Sequence, residues 1–200
     1  MTIPKVTLPW RPPDDTHAEV LCQERDDNRC IITGLAGPDI VSICPDIFLD
    51  SSNDDLRLWR ILEAFWRPEK AAVWRRKAGD AGCSNLICLS SSLYTAWSSA
   101  KFVLQPISVE GTTLKFRLFW LRSLNAKYPG VESLLIKPDD VLVDASRDTQ
   151  CARLPPNGSL FAVTAKEPCL LPSFELLELQ WHLQRLAALS GAAEDNPVSP

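Results

Sequence analysis

A short apolar run followed at once by a capped amphipathic segment is the feature that most constrains the fold of this chain. Residues 85–89 read Asn-Leu-Ile-Cys-Leu, which is typical of a short buried strand. Ser90 follows, and it is a favourable N-cap for a helix that carries Leu93, Tyr94 and Trp97. The segment 40–44 supplies another strand earlier in the chain. The sequence therefore predicts two short strands and a helix.

Helical and turn patterns fill the segments around these strands. Residues 16–25 form a predicted helix, and residues 30–33 and 40–44 form a predicted hairpin around a loop rich in glycine and proline. A stripe of apolar side chains predicts a helix over residues 54–66, with Asn53 or Asp54 as its cap. Pro68 ends that stripe, and a second helix is expected up to about residue 77.

The second half of the chain predicts an antiparallel sheet and one long helix. Residues 102–109 and 113–120 are expected to be strands joined by a tight turn at Glu110-Gly111. Apolar residues alternate along the second strand, so one face of the sheet should be buried: Leu114, Phe116, Leu118 and Trp120. A further strand is expected at residues 159–164, before a helix that begins after Ser173 and ends at Gly191.

These elements describe an α+β protein with a single domain. Two hundred residues with 46% apolar content are sufficient for one domain with its own core. We expect residues 1–15 to be an extended N-terminal arm, residues 16–191 to be the domain, and residues 192–200 to be a disordered tail.

Several motifs resemble the fungal-type HNH nucleases. The motifs are Cys-Ile-Ile-Thr-Gly at 30–34, Val-Ser-Ile-Cys-Pro at 41–45 and Asn-Leu at 85–86, with further similarity at 57–66, 102–107 and 171–189. Their order and spacing extend over about residues 20–190. The resemblance implies an HNH-like ββα core with an extra antiparallel sheet and flanking helices. In that family the ββα unit holds one divalent metal ion.

The two histidines that the resemblance requires are replaced. Ser42 stands where the family has a histidine in the second strand, and Tyr94 stands where it has a histidine in the helix. Imidazole binds metals and accepts protons near neutral pH, because its ordinary pKa is ~6.5. A serine hydroxyl or a phenol does neither under the same conditions. We therefore expect no metal at this position, no cofactor and no nuclease activity.

The remaining histidines do not supply a substitute site. His17 lies in an acidic N-terminal stretch, where a solvated or capping role is expected. His182 lies in the last predicted helix, at its surface or at the edge of the core. The two are at opposite ends of the chain.

The former metal position predicts a small-molecule site. Ser42 and Tyr94 should face each other, with Asn85 tying the loop and donating to a ligand. Alternatively, Tyr94 plugs the cavity with its hydroxyl bonded to Ser42. The predicted binding residues beyond this pair are Asn85, Trp97, Ser98, Trp66 and Trp74, and the tryptophans could instead be core residues. Such a lining suits an apolar small molecule.

Cysteines and charges restrict the other functions. Seven cysteines at irregular spacings favour neither a disulfide framework nor a zinc site, so buried, inert thiols are expected: Cys22, Cys30, Cys44, Cys83, Cys88, Cys151 and Cys169. Residues 57–127 carry 12 basic and 4 acidic side chains, a net charge of +8, whereas the remainder carries −12. This asymmetry indicates either an anion-binding face or the solvated sides of two helices.

The expected location follows from what the chain lacks. No stretch of ~18 apolar residues is present, so no membrane span is expected. The first six residues lack the charged and apolar segments of a secretory signal, and we expect a cytoplasmic protein.

Three functions from different classes remain. The first is a cofactor-free cyclase of fungal secondary metabolism that closes a terpenoid or polyketide ring by a pericyclic [4+2] reaction. Tyr94 and Ser42 would polarise an activating carbonyl in such an enzyme. The second is a pseudo-nuclease that binds nucleic acid through the basic central region. The third is a non-catalytic interaction module that presents residues 57–77 and the last helix to a protein partner.

Overall fold

The computed structural model describes residues 15–44, 53–79, 82–121 and 154–190 of the chain. Within these ranges the fold is mixed α+β in one domain, with five helices and two small antiparallel sheets. The predicted tail and the predicted arm lie outside the described residues, apart from Asp15, at which the first helix begins.

Two strands and four helices make up the first half of the chain. In chain order they are α1 (Asp15–Arg25), β1 (Asp39–Ser42), α2 (Asn53–Phe65), α3 (Pro68–Ala78), β2 (Leu86–Leu89) and α4 (Ser91–Ser98), with a 3₁₀ turn at Cys83–Asn85 before β2. β1 pairs antiparallel with β2, so that Asp39 lies opposite Leu89 and Ser42 lies opposite Leu86. The strand–strand–helix order that the sequence predicts is therefore present.

The second half contains a three-stranded sheet and a long helix. The strands are β3 (Phe102–Glu110), β4 (Thr113–Trp120) and β5 (Ser159–Thr164) in the spatial order β3-β4-β5, and α5 (Phe174–Ser190) follows a 3₁₀ turn at Pro168–Leu170. The β3–β4 turn places Gly111 at φ +60°, a left-handed conformation that glycine adopts without strain. The Ser173 hydroxyl accepts a hydrogen bond from the Leu176 amide at 3.3 Å, which confirms the predicted cap of α5.

The predicted hairpin of residues 30–33 with 40–44 is wrong. The chain reverses instead, because the Gly34 amide donates to the Cys30 carbonyl at 2.9 Å. Cys30 Sγ accepts hydrogen bonds from the amides of Ile32 and Thr33, both at 3.4 Å, and so occupies donors that a strand would offer to its partner. The isolated bridge at this turn joins Arg29 to Ala36, the Ile31 amide donates to the Cys88 carbonyl at 2.9 Å, and β1 pairs with β2.

The β1–β2 ribbon separates two apolar clusters. Successive side chains of a strand point to opposite faces. Val41, Ile87 and Leu89 belong to the main core, which also contains side chains of α4, α5 and the three-stranded sheet. Leu86 and Cys88 belong to a smaller cluster with Cys22 of α1. The helix α1 therefore covers one face of the ribbon, and the main core lies against the other.

Candidate functional site

Tyr94 reaches the surface at the beginning of α4. Ser90 occupies the N-cap position, as predicted, and its carbonyl accepts a hydrogen bond from the Tyr94 amide at 2.7 Å. The Ser90 hydroxyl bonds to no helix amide. Leu93 and Trp97 point into the core, and Tyr94, between them on the helix surface, is only half-buried.

An open cleft of about 410 Å³ lies beside Tyr94. Its lining comes from α1, from the start of β1 and from α4, and consists of Glu19, Gln23, Pro38, Asp39, Ile40 and Tyr94. Two carboxyl side chains, one amide and one phenol make this lining mainly polar. The Tyr94 hydroxyl has no hydrogen-bond partner among the described residues, so it is available to a ligand.

Ser42 does not share this cleft. Its cross-strand partner is Leu86, and such partners lie on the same face of a sheet. Leu86 and Ile40 both belong to the small cluster with α1, so Ser42 lies on the same face of the ribbon as Ile40, which lines the cleft, but two residues further along the strand. Ser42 is also three residues beyond Asp39, about 10 Å along the strand. No hydrogen bond joins the Ser42 and Tyr94 hydroxyls, both of which the structure describes, so Tyr94 does not plug the cavity by bonding to Ser42, and the prediction that the two residues face each other stays a prediction.

Asn85 has the tying role that the sequence predicts. Its buried side chain accepts a hydrogen bond from the Cys44 amide at 2.8 Å and donates to the Cys44 carbonyl at 3.0 Å. The Ile43 amide donates to the Asn85 carbonyl at 2.7 Å, which continues the β1–β2 pairing by one further bond. Because both polar ends of this amide are occupied by the backbone, Asn85 fixes the loop after β1 and does not line the Tyr94 cleft.

Trp66 and Trp74 meet a histidine on another helix. The ring centroids of Trp66 and Trp74 lie 5.6 Å apart, and His182 of α5 lies 5.2 Å from the first and 5.8 Å from the second. Trp74 is fully buried and donates its indole N–H to Glu178 Oε2 at 3.2 Å. This cluster joins α3 to α5 and is separate from the lining of the Tyr94 cleft.

Trp97 and Ser98 occupy different surroundings. Trp97 is buried against Phe102, with ring centroids 5.5 Å apart, and its carbonyl accepts a hydrogen bond from Gln184 Nε2 at 3.1 Å. Ser98 is exposed, one helical turn beyond Tyr94 on the same side of α4. Of the predicted site residues, Tyr94 alone lines the cleft, and the binding roles proposed for the others stay predictions.

Burial lowers the pKa of His182. Removal from water lowers its pKa below the ordinary value, and the positive charges of Lys70 and Arg185 act in the same direction. Glu178, one turn earlier in α5, raises the pKa and only partly offsets them. The neutral imidazole is therefore the form that the folded chain prefers.

This preference predicts a loss of stability in mild acid. Below a pH of ~6.5 the unfolded chain binds a proton at His182 that the folded chain does not bind, so the free energy of unfolding falls until the pH reaches the lower, folded-state pKa. Urea midpoints measured between neutral pH and about pH 5 should decrease in the wild-type chain, and His182→Gln should reduce that dependence. His17→Gln, a change at an exposed histidine, is the matched control. An unchanged pH dependence in His182→Gln would contradict this assignment.

The C-terminal end of α1, which the sequence predicts at residue 25, holds a buried ion pair. Arg25 Nε and Nη2 donate to the two carboxylate oxygens of Asp26, both at 2.7 Å, and each side chain is only 1% exposed. The same guanidinium donates to the carbonyls of Cys83 at 3.2 Å, Leu86 at 2.9 Å and Leu170 at 3.0 Å. Arg25 thus joins α1, the turn before β2 and the turn before α5.

Basic side chains lie exposed on α2 and α3, as the charge pattern predicts. Four arginines are exposed and form no ion pair among the described residues: Arg60, Arg67, Arg75 and Arg76. Arg75 and Arg76 are in the last turn of α3, where positive charge favours the helix dipole. The Tyr94 cleft, in contrast, contains acidic side chains and would repel a phosphate backbone.

Comparison of the chain with protein-family models, with characterised proteins and with solved structures found no match. In the described part of the chain, no helix combines the length and the apolar character that crossing a bilayer requires.

Proposed function

We propose that this chain is an HNH-like scaffold that binds a small organic molecule in the Tyr94 cleft and does not hydrolyse nucleic acid. The strand–strand–helix order and the Asn85 tie support the scaffold. Ser42 and Tyr94 stand where the resemblance calls for histidines, and of the two only Tyr94 lines the cleft.

The position of Tyr94 is the observation that carries the proposal. Its phenol is half-buried at the wall of the cleft, and no described residue accepts or donates a hydrogen bond at its hydroxyl. The hydroxyl is open to water and has no partner among the described residues. A ligand carbonyl or hydroxyl placed in the cleft would supply that partner.

The lining also indicates what the ligand carries. Glu19 and Asp39 favour a positive charge or several hydrogen-bond donors, and Gln23 adds one further donor and acceptor. An apolar molecule would take water from Asp39 and Gln23 without replacing its hydrogen bonds, which costs free energy. The cleft therefore favours a polar, basic ligand over the purely apolar one that the sequence suggested.

A metal-free cyclase is the catalytic form of this proposal. A pericyclic [4+2] closure requires that the reacting parts of a polyketide or terpenoid be held together and that an activating carbonyl be polarised. The Tyr94 phenol is the donor for that carbonyl, and the two carboxylates would anchor a basic group elsewhere on the substrate. Trp66, Trp74 and Trp97 do not line the cleft, so Tyr94 is the aromatic residue that would contact the substrate.

Titration with chemically distinct probes tests the proposal. Spermidine serves as the basic probe, farnesol as the apolar probe and a short DNA duplex at low salt as the nucleic-acid probe, with binding followed by calorimetry and by amide chemical shifts. We expect spermidine to bind and to shift amides around Asp39 and Tyr94. Asp39→Asn should weaken this binding, whereas Glu63→Gln, which removes an exposed carboxylate on α2, should not.

Substitutions at the two hydroxyls separate the cleft from the former metal position. For a ligand that carries both an amine and a carbonyl, Tyr94→Phe should weaken binding by about 2- to 10-fold, the value of one net hydrogen bond of ~0.5–1.5 kcal/mol. Ser42→Ala should have no effect, because Ser42 lies outside the cleft. Equal losses in both variants would mean that the hydroxyls act together. Binding of DNA without binding of spermidine would favour the pseudo-nuclease instead.

A further inference from the structure

Two thiols and a carboxylate meet between α1 and β2. Cys22 Sγ lies 3.7 Å from Cys88 Sγ and 3.8 Å from Asp26 Oδ2, and all three atoms lie within 4.8 Å of one another. Both thiols are fully buried. Cys83 is next to this group, because its Sγ contacts the same Arg25 guanidinium as Cys22 Sγ does, at 3.5 Å and 3.4 Å respectively.

These separations have the dimensions of a metal site. In a tetrahedral zinc site with Zn–S bonds of ~2.3 Å, two sulfur ligands lie about 3.8 Å apart. The observed 3.7 Å between Cys22 and Cys88 agrees with that edge. A disulfide would require the sulfurs to approach to ~2.05 Å. The arrangement therefore suits a bridging ion better than a covalent bond.

We propose that Cys22, Cys88 and Asp26 bind one Zn²⁺ ion in a closed structural site, with Cys83 as the thiol available to complete the coordination. Its ligands do not line the Tyr94 cleft, and they do not include Ser42 or Tyr94, the positions at which the HNH resemblance would place a metal. Its role is to fasten α1 to β2, elements whose ligands are 66 residues apart in the sequence.

The charges of the surrounding groups favour a dication. With both thiols ionised, Cys22, Cys88 and Asp26 carry three negative charges, and Arg25 supplies one positive charge. Zn²⁺ makes this buried group neutral when Cys83 keeps its proton, whereas a monovalent ion would leave a net negative charge in a site shielded from water; a Cys83 thiolate as fourth ligand would add one negative charge. The guanidinium contacts with the sulfurs of Cys22 and Cys83 would stabilise their thiolate forms in addition.

Binding must displace protons from these thiols. A hydrogen bond with Cys83 favours the Cys22 thiolate, but a hydrogen bond with Cys88 and burial together raise the pKa of Cys22 above its ordinary range. A hydrogen bond with Cys22 and burial likewise raise the pKa of Cys83. Each S–H bond that breaks gives a Zn–S bond and releases one proton to solvent, so two protons leave on binding, or three when Cys83 participates. Zinc affinity should therefore fall as the pH falls.

The hydrogen bonds at the two carboxylate oxygens of Asp26 orient this side chain as a metal ligand. Arg25 Nε holds Oδ1 at 2.7 Å, while Oδ2 accepts from Arg25 Nη2 and from the Cys88 amide at 3.2 Å. Ligating carboxylates are commonly oriented by such outer hydrogen bonds. We expect Oδ1 to keep its ion pair when Oδ2 turns towards the metal.

Metal analysis of the full-length chain tests the site. The chain is purified under reducing, oxygen-free conditions from zinc-containing medium, and its zinc is measured by mass spectrometry and by X-ray absorption at the zinc edge. One zinc per chain, with at least two sulfur neighbours, is expected. Cobalt exchanged for zinc should give a thiolate-to-metal charge-transfer band.

Cysteine variants locate the ion within the chain. Cys22→Ser and Cys88→Ser should each lower zinc affinity by at least about 100-fold, more than changes outside the coordination sphere usually do. Cys169→Ser, at an exposed thiol, and Cys30→Ser, at a buried thiol elsewhere, are the matched controls and should keep one zinc.

Two results would overturn the proposal. One is a folded wild-type chain that binds no zinc and shows no change in melting temperature on addition of zinc or a chelator. The other is zinc that stays bound in both Cys22→Ser and Cys88→Ser. If these variants fail to fold, the sulfur count from X-ray absorption of the wild-type chain decides, since a site with only nitrogen and oxygen neighbours would exclude the thiols. None of these results depends on whether a ligand binds beside Tyr94.

Discussion

Arg25→Met should destabilise the folded chain by about 3–5 kcal/mol, the usual cost of removing one partner from a buried ion pair. Methionine keeps most of the side-chain volume but leaves the Asp26 carboxylate buried without its counter-charge. The carbonyls of Cys83, Leu86 and Leu170 also lose a donor each, which places the effect towards the upper end of this range. The measurement is a lower urea midpoint with an unchanged slope.

Two further variants distinguish a lost ion pair from a general loss of packing. Arg29→Ala removes an exposed arginine that donates a hydrogen bond to the Gly34 carbonyl at 2.9 Å, and it should change stability by less than about 1 kcal/mol. The double variant Arg25→Met with Asp26→Asn should be more stable than Arg25→Met alone. Asparagine removes the unpaired charge and keeps an acceptor for the Cys88 amide. A double variant less stable than the single one would refute this account.

Local patterns predicted most of the regular elements. The alternating residues of β4, Leu114, Phe116, Leu118 and Trp120, are all buried, and the strand has the predicted bounds. The strand β5 and the Ser173 cap of α5 are also confirmed. These elements were predictable because a period of two or a single capping residue is visible within a few positions.

The predicted strand at residues 30–33 is wrong for a physical reason that the same patterns do not show. Cys30 and Ile32 are buried, as in a strand, but Cys30 Sγ accepts two nearby backbone amides and supports a turn. Short apolar runs do not by themselves distinguish these outcomes.

The candidate sites depended on contacts between distant residues, and those were predicted less well. The sequence placed Ser42 beside Tyr94 because both stand at positions that the HNH resemblance gives to the metal site, but Ser42 does not line the Tyr94 cleft and forms no hydrogen bond with Tyr94. The convergence of Cys22, Asp26 and Cys88 has no local signature, since their spacing forms no metal-binding motif. Arg25 and Asp26 were indistinguishable from a solvated turn until their buried partners were known.

Trp74→Ala should lower the free energy of unfolding by about 3–5 kcal/mol, which is typical of truncating a fully buried tryptophan. The substitution removes the ring contacts with Trp66 and His182 and the hydrogen bond to Glu178 Oε2. Because α3 and α5 meet through this ring, both helices should lose amide protection in hydrogen exchange. If Trp74 were instead the wall of a binding site, the substitution would weaken ligand binding and leave stability nearly unchanged.

Trp74→Phe separates the two contributions of this side chain. Phenylalanine keeps an aromatic ring against Trp66 and His182 but has no N–H for Glu178, so its cost should be smaller than that of alanine. Glu178 keeps its ion pair with Lys70 in this variant, which prevents the carboxylate from being left wholly unpaired. Spermidine binding should be the same in Trp74→Phe as in the wild-type chain, because Trp74 lies outside the Tyr94 cleft. Weaker binding with unchanged stability in Trp74→Phe would mean that Trp74 contacts the ligand and is not a structural core residue.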